Sequence, residues 1–321
     1  MKDIAIGVDI GGTFTKVGMV DKEGDVLADA IIKTSDYPEV DKFMANLHHS
    51  IQKLIDQAGA VNVIGVGIGA PNGNYYKGTI EFAPNLNWKG VIPFVELSRK
   101  HLDVTTVLTN DANAAAVGEK IYGGARNMSD FIVITLGTGL GSGLFVNGKL
   151  VYGHDGFAGE LGHVTVNMEG RICGCGRRGC LETYASATGI RRTAFELMAD
   201  RTIPSELRKY SFENLDAELI FNAAEKGDQL ALEAFHITGK ILGTKLADTI
   251  VHTSPEAIFL FGGLAKAGNL ILEPTKKSME AHLLEVFKNK VKILPSELTK
   301  KNAAILGSSA LVWQEITLKQ T

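Results

Sequence analysis

Residues 4–32 read IAIGVDIGGTFTKVGMVDKEGDVLADAII. The apolar run 4–8 predicts a buried strand, 9–13 a glycine-rich loop, 15–20 a second strand, 22–25 a turn and 26–32 a third strand. Residues 131–151, FIVITLGTGLGSGLFVNGKLV, follow the same plan. A strand over 131–136 leads into a glycine loop at 137–141 and a strand over 144–146. Asn147 and Gly148 then form a strong hairpin signal before the chain continues at Leu150 and Val151. One unit met twice, about 125 residues apart, argues for two related α/β domains facing each other.

The intervening and following stretches fit that plan. Residues 40–58 have helical spacing, with Phe43, Leu47, Ile51, Leu54 and Ile55 on one face and Gly59 as a stop. Strands are expected over 63–68 and 104–108, with a short helix over 93–101 between them. The second of these strands runs into Asn110 and Asp111, ahead of an alanine-rich helix at 112–120. Helices follow over 181–198, 217–226 and from Asp228 to about His252. A strand over 257–261 ends at Gly262 and Gly263, and Asn302 opens a last helix over 303–316. Residues 200–215 show no period and read as a connection, and His48 and His49 read as solvated.

Composition narrows the function. A chain of 321 residues, 45% hydrophobic and 21% charged, is long enough for two domains sharing a cleft around sizeable cores. A net charge of −3 without a basic run argues against nucleic acid as a partner. No apolar run approaches the ~18 residues of a membrane span. The start MKDIAIGVDIGG lacks a signal peptide's apolar core, so a cytoplasmic location is expected, where thiols stay reduced. The Asn127–Ser129 glycosylation triplet is then a chance match.

All three cysteines crowd into one stretch, Cys173, Cys175 and Cys180, with His163 upstream. Thiolates and a neutral imidazole suit zinc, and four of them would close a structural Zn2+ site with no open position. Gly174, Gly176 and Gly179 let the backbone turn sharply enough for the sulfurs to meet. The plain alternative is three free thiols and a surface histidine. Glu160 and Glu182 flank the stretch, and a metal holding His163 and Cys180 would pin both carboxylates. The second imidazole nitrogen of His163 could then face a ligand rich in hydroxyls.

Gly11, Gly12 and Thr13 in one repeat, and Gly137, Thr138, Gly139 and Gly141 in the other, could form two anion nests for a nucleotide's phosphates. Either loop alone could be a plain hairpin. Gly262 and Gly263 could admit a purine or ribose, or simply end a strand. Asp111 is either a helix N-cap or a general base taking a proton from an attacking hydroxyl. Asn110 could bond the same substrate. Asp9 suits Mg2+, directly or through water, or is a turn residue. Asn85 and Asn87 are turn formers or sugar ligands. GLFVNGKL at 143–150 is not a Walker loop, since Leu150 stands where Ser or Thr is required, and GVGIG at 65–69 opens no helix.

Five motifs together resemble the ROK family (repressor, open reading frame, kinase), and its bacterial glucokinases most of all. They are DIGGT at 9–13, Asn110 and Asp111 before the alanine-rich helix, LGTGLG at 136–141, ELGH at 160–163 and CGCGRRGCLE at 173–182. The resemblance covers nearly the whole chain. It implies two actin-like (ribonuclease H-like) ATPase domains around a cleft. Residues 1–116 and 304–321 would form the smaller domain and 117–303 the larger. The activity implied is phosphorylation of the glucose 6-hydroxyl by ATP with Mg2+. Asp111 would be the base, and Asn85, Asn110, Glu160, His163 and Glu182 would contact the sugar. Zinc would be held by His163, Cys173, Cys175 and Cys180. A homodimer or homotetramer is implied. N-acetylhexosamine, fructose or mannose kinases share these motifs, and a non-catalytic sugar-responsive regulator is the alternative from another class. Many relatives place Lys or Asn after the GGT where this chain has Phe14, so no lysine contact to phosphate is carried over. The helix-turn-helix of the family's repressors has no room before a first strand at Ile4.

Overall fold

The computed structural model describes residues 1–300 and 302–320. Lys301 and Thr321, which the domain limits expected from the sequence include, lie outside the described residues. The chain divides into two compact units. One comprises Met1–Met128, Gly143–Gly159 and Ser296–Thr321, and the other Ser129–Ser142 and Glu160–Pro295.

The first unit is built on a five-stranded sheet. Strands β1 (Lys2–Ile10), β2 (Thr15–Val20) and β3 (Val26–Ile32) run antiparallel, as the tight connections between them require. After helix α1 (Val40–Ala58), β4 (Val61–Gly69) joins β1 in parallel, and β5 (Thr105–Thr109) joins β4. Strand alternation sorts β1 into two faces. Ile4, Ile6, Val8 and Ile10 are buried in one core with Phe43, Met44, Leu47, Ile51 and Leu54 of α1. The opposite face carries Gly7, and Asp9 follows it at the same parity.

That second face is lined by glycine. The strand register sets Gly18 of β2 and Gly67 of β4 on either side of Gly7. The C-terminal helix, Ala303–Gln320, lies directly on this row. A Cβ on Gly7 would strike the Ile305 carbonyl and stand 2.9 Å from the Ser309 N–H, and one on Gly67 would strike the Ser308 carbonyl. One on Gly18 would come within 2.6 Å of the Ile305 side chain. The same helix packs tightly on α2 (Asp111–Tyr122), where a Cβ on Gly118 would lie 2.8 Å from Gly307.

A second five-stranded sheet repeats the motif. β6 (Phe131–Leu136) ends in the second glycine loop, β7 (Leu140–Val146) follows, and β8 (Lys149–Leu150) closes the hairpin around Asn147 and Gly148, both at positive φ. β9 (Ala257–Phe261) pairs in parallel with β6 and with β10 (Lys292–Pro295). Helices α3 (Ala187–Asp200), α4 (Gln229–Thr253) and α5 (Asn269–His282), with the shorter helix Ala217–Glu225, belong to the second unit. The two sheets with their helices bear out the α/β class expected from the sequence.

Several details differ from the sequence pattern. The helix expected from residue 181 begins at Ala187, because Ser186 caps it by accepting the Gly189 N–H at 2.9 Å. Only a single 3-10 turn, Leu181–Thr183, precedes it. β7 begins at Leu140 rather than 144, so Gly141 is a strand residue whose N–H donates to Thr135 Oγ1. Residues 200–215 include a 3-10 turn, Glu206–Lys209. His48 is not solvated. It stacks on His101 at 4.7 Å, and burial first, then His101, pushes its pKa down to about 4. Among the described residues no helix is long and apolar enough to cross a membrane.

The glycine row yields a stability test. Gly7→Ala forces a methyl against helix backbone and is expected to cost about 1–3 kcal/mol, the usual range for overpacking. Urea denaturation followed by tryptophan fluorescence measures it, since Trp88 and Trp313 both belong to the first unit. An unchanged midpoint would show that the helix does not need that approach.

Candidate functional site

On the first unit the predicted residues gather at the ends of β1, β4 and β5. The Gly11 N–H donates to the Phe14 carbonyl at 3.0 Å, closing the loop after β1. Gly12 is required there, because a Cβ would collide with the Asn85 carbonyl. The loop of exposed Asn85 is thereby set against the first glycine turn. Below it, Leu86 and Trp88 are buried, and Trp88 Nε1 donates to the Tyr37 carbonyl at 3.0 Å. Asn87 donates instead to the Ser35 carbonyl, at 3.4 Å.

Asp9 pairs with Gly69 across β1 and β4, and a Cβ on Gly69 would lie 3.6 Å from the Asp111 Cα. The cap of α2 is Asn110, whose Oδ1 accepts the Asn113 N–H at 2.7 Å. Asp111 is therefore the first helical residue and not the cap. Its Oδ1 accepts the Ala112 N–H at 2.9 Å. The residue is open to solvent at its edge, yet the surrounding protein pushes its carboxyl pKa upward, opposed by that Ala112 N–H. Asp9 is pushed up to about 6, by burial first and then by the charge of Asp111, with Lys16 acting in the opposite sense.

On the second unit the glycine loop closes likewise, with the Gly137 N–H donating to the Gly139 carbonyl at 3.1 Å. Each loop by itself has the form of an anion nest, with the N–H groups of Gly12 and Thr13 in the first and of Thr138 and Gly139 in the second. Gly262, at φ 104°, lies against Leu136, where a Cβ would be 2.6 Å from the carbonyl. Gly262 and exposed Gly263 therefore border the second loop.

The cysteine stretch folds into a knot. The Cys173 N–H donates to the Arg177 carbonyl and the Gly176 N–H to the Cys173 carbonyl, with Gly176 at φ 86°. One donor atom from each of His163, Cys173, Cys175 and Cys180 lies within 4.8 Å of the others. Cys175 Sγ and Cys180 Sγ are 3.7 Å apart, and Cys173 Sγ is 3.8 Å from His163 Nδ1. A tetrahedron with metal–sulfur arms of about 2.3 Å has edges of about 3.8 Å, so the set fits a four-coordinate ion.

Both glutamates border this knot. Glu182 Oε1 accepts from Cys173 Sγ at 2.8 Å, while its Oε2 would be 2.6 Å from a Cβ on Gly139. Its carboxylate therefore stands between the knot and the glycine loop. His163 Nδ1 faces the sulfurs, and its Nε2 is 3.9 Å from Glu160 Oε2. Sequence reasoning missed Arg171. Its guanidinium lies 4.3 Å over the Tyr184 ring, forms an ion pair with Glu196 and donates to the carbonyls of Thr183 and Gly189. This ties the knot to α3. Nothing in the sequence separates it from the nearby Arg177 and Arg178, which are exposed.

Two five-stranded sheets, each with a strand–glycine loop–strand opening, and their flanking helices define the actin-like ATPase fold. The family model for the ROK family matches residues 5–315, and the chain belongs to that family. It is 35% identical over 287 residues to a glucokinase of Streptomyces coelicolor, covering 88% of each chain. It is 29% identical to the xylose repressor of Bacillus subtilis, over 96% of this chain and 76% of the repressor. Among solved structures it is similar to a ROK family glucokinase from Streptomyces griseus in complex with glucose and AMPPNP. That match has a TM-score of 0.82 and 33% identity, over 97% of this chain and 99% of that one.

The Asp9 shift has a measurable consequence. Because the folded-state value lies above the ordinary 3.8, the stabilising contribution is present below that value and lost as pH rises through about 6. Asp9→Asn is therefore expected to be more stable than the parent near about pH 7.5, by on the order of 1–3 kcal/mol, with no gain near about pH 3.5. Urea midpoints at the two pH values decide it. An equal gain at both would remove the carboxylate's charge as the cause.

Proposed function

We propose that the protein is an ATP-dependent hexokinase that phosphorylates the 6-hydroxyl of glucose. The observation that carries this reading is the Asp9 and Asp111 pair beside the first glycine loop. Burial and then the charge of Asp111 raise the pKa of Asp9, and burial raises that of Asp111, which favours a bound cation and leaves Asp111 a stronger base than an ordinary aspartate. The relatives named as glucokinases support the substrate class.

In this reading Asn85, Asn110, Asp111, Glu160, His163 and Glu182 are the residues that contact the sugar. Asn110 has its Oδ1 engaged as the helix cap, so its amide NH2 would donate to a sugar hydroxyl. Asp111 accepts the 6-hydroxyl proton as that oxygen attacks the terminal phosphorus of ATP, and the bond to the ADP oxygen breaks. The N–H groups of Gly12, Thr13, Thr138 and Gly139 hold phosphate oxygens, and Gly262 and Gly263 border the adenosine. Such positioning and electrostatic stabilisation account for most of phosphoryl-transfer catalysis. Mg2+ accompanying ATP, held directly or through water by Asp9, neutralises phosphate charge. Zinc held by His163, Cys173, Cys175 and Cys180 supplies fixed geometry, because its four positions are filled.

The similarity to a xylose repressor favours one second reading, a sugar-responsive regulator without turnover. A coupled ADP-release assay over glucose, mannose, fructose and N-acetylhexosamines separates the two and identifies the accepted sugar. Hexose binding without ADP release would establish the regulator.

Asp111→Asn is expected to bind sugar but lose at least about 10²-fold in turnover, the usual size of a general-base contribution. Near-parental turnover would take the base role from Asp111. Cys175→Ser should lower both zinc content, by elemental analysis, and glucose affinity, by calorimetry. A parent protein free of zinc, or a variant that loses zinc and keeps its affinity, would break the proposed link.

A further inference from the structure

Glu119 is a charged side chain with no exposed surface, and the proposed chemistry does not use it. It sits in the third turn of α2, the helix whose first turn carries Asp111. Its Oε1 accepts the N–H groups of Gly124 at 2.8 Å and Glu297 at 3.1 Å, and its Oε2 accepts from Ser296 Oγ at 2.6 Å. Gly123 leaves room for this, since a Cβ there would strike Oε1. Charge-assisted bonds of this kind are roughly twice as strong as neutral ones, and removing the carboxylate would leave three donors without it.

The segments it grips are the places where the chain passes between units. The chain leaves the first unit after Met128 and returns for the last time at Ser296. Lys120, the next residue of α2, donates to the carbonyls of Arg126 at 3.1 Å and Met128 at 2.7 Å, holding the rest of the outgoing segment. A third passage also rests on α2. Gly143, where the chain re-enters the first unit, approaches so closely that a Cβ would lie 2.6 Å from the Ala116 Cβ and 2.8 Å from the Ala112 carbonyl. The remaining passage, before Glu160, is held elsewhere, by Asn74 donating to the Asp155 carbonyl at 2.8 Å.

We propose that Glu119 is a positioning residue for phosphoryl transfer, tying the first outgoing and last returning passages to the helix that presents Asp111. The proposal rests on the kinase reading above. With the tie in place, both passages keep a fixed register to the base. Without it they move independently of α2, and turnover falls while nucleotide binding by the glycine loops does not.

The test uses the full chain, with turnover, KM values and amide hydrogen exchange measured together. Glu119→Ala is expected to lower kcat by about 10²-fold, as a small misplacement remote from the chemistry can, while the KM for ATP stays at the parental value. Glu119→Gln should restore most of the rate. Its oxygen can accept both N–H groups, and its NH2 can donate to Ser296 Oγ. Should the alanine variant fail to fold, Glu119→Asp keeps the charge, falls one methylene short and should lose rate in the same way. A folded alanine or aspartate variant with parental kcat overturns the proposal, as does a glutamine variant no better than alanine. A parent that phosphorylates no hexose would sink the kinase reading instead. In that event faster exchange at Gly124 and Glu297 in the alanine variant still supports the tie, and unchanged exchange removes it.

Discussion

The first unit depends on a backbone-to-backbone approach. Gly18, Gly7 and Gly67 lie side by side across three strands, and the C-terminal helix rests on that row at a distance no side chain would allow. The same helix meets α2 through Gly307 and Gly118. Sheet, C-terminal helix and α2 are thereby held at one spacing, which fixes Asp111 relative to Asp9 at the end of β1. Rigid elements of this kind place catalytic groups more accurately than loops do. The cost is conformational entropy in the unfolded glycine-rich strands, offset by the dispersion contacts of the close packing.

The second unit places its carboxylates by another device. It has no comparable glycine row, and the stretch bearing Glu160 and Glu182 contains little regular structure beyond two 3-10 turns. Four donor atoms drawn to one point do the work of a core here. A metal bound to them would make the flanking positions as well determined as strand residues, because each glutamate lies within three residues of a candidate ligand. Arg171 extends that order outward, through Tyr184 and Glu196, to α3.

Electrostatics then links structure to chemistry. Burial and then the charge of Asp111 disfavour the Asp9 carboxylate, Lys16 offsets this only in part, and Phe14 stands half exposed directly after the GGT. A cation bound there would relieve that charge.

Much of this was legible in the sequence, for identifiable reasons. Period-two apolar runs, the repeated strand–glycine loop–strand unit and the Asn147-Gly148 turn carry local physics, and they determined the fold class and the duplicated plan. Cysteines and a histidine at short spacing likewise announced a set of donor atoms. Other features were illegible because they arise between distant segments. Nothing local distinguishes Gly7 from any other strand glycine until Gly18, Gly67 and Ile305 are brought beside it. Asp111 reads from the sequence as a helix cap, until φ and ψ place Asn110 outside the helix as the cap and Asp111 within it. Glu119 lies in the alanine-rich helix with nothing local to mark it, and its bonds to Ser296 and Glu297 arise only where the chain returns. Sequence by itself determined which elements form and which side chains have the chemistry. The tertiary structure decided which of them touch, because hydrogen bonding, burial and pKa depend on neighbours in space that chain order does not contain.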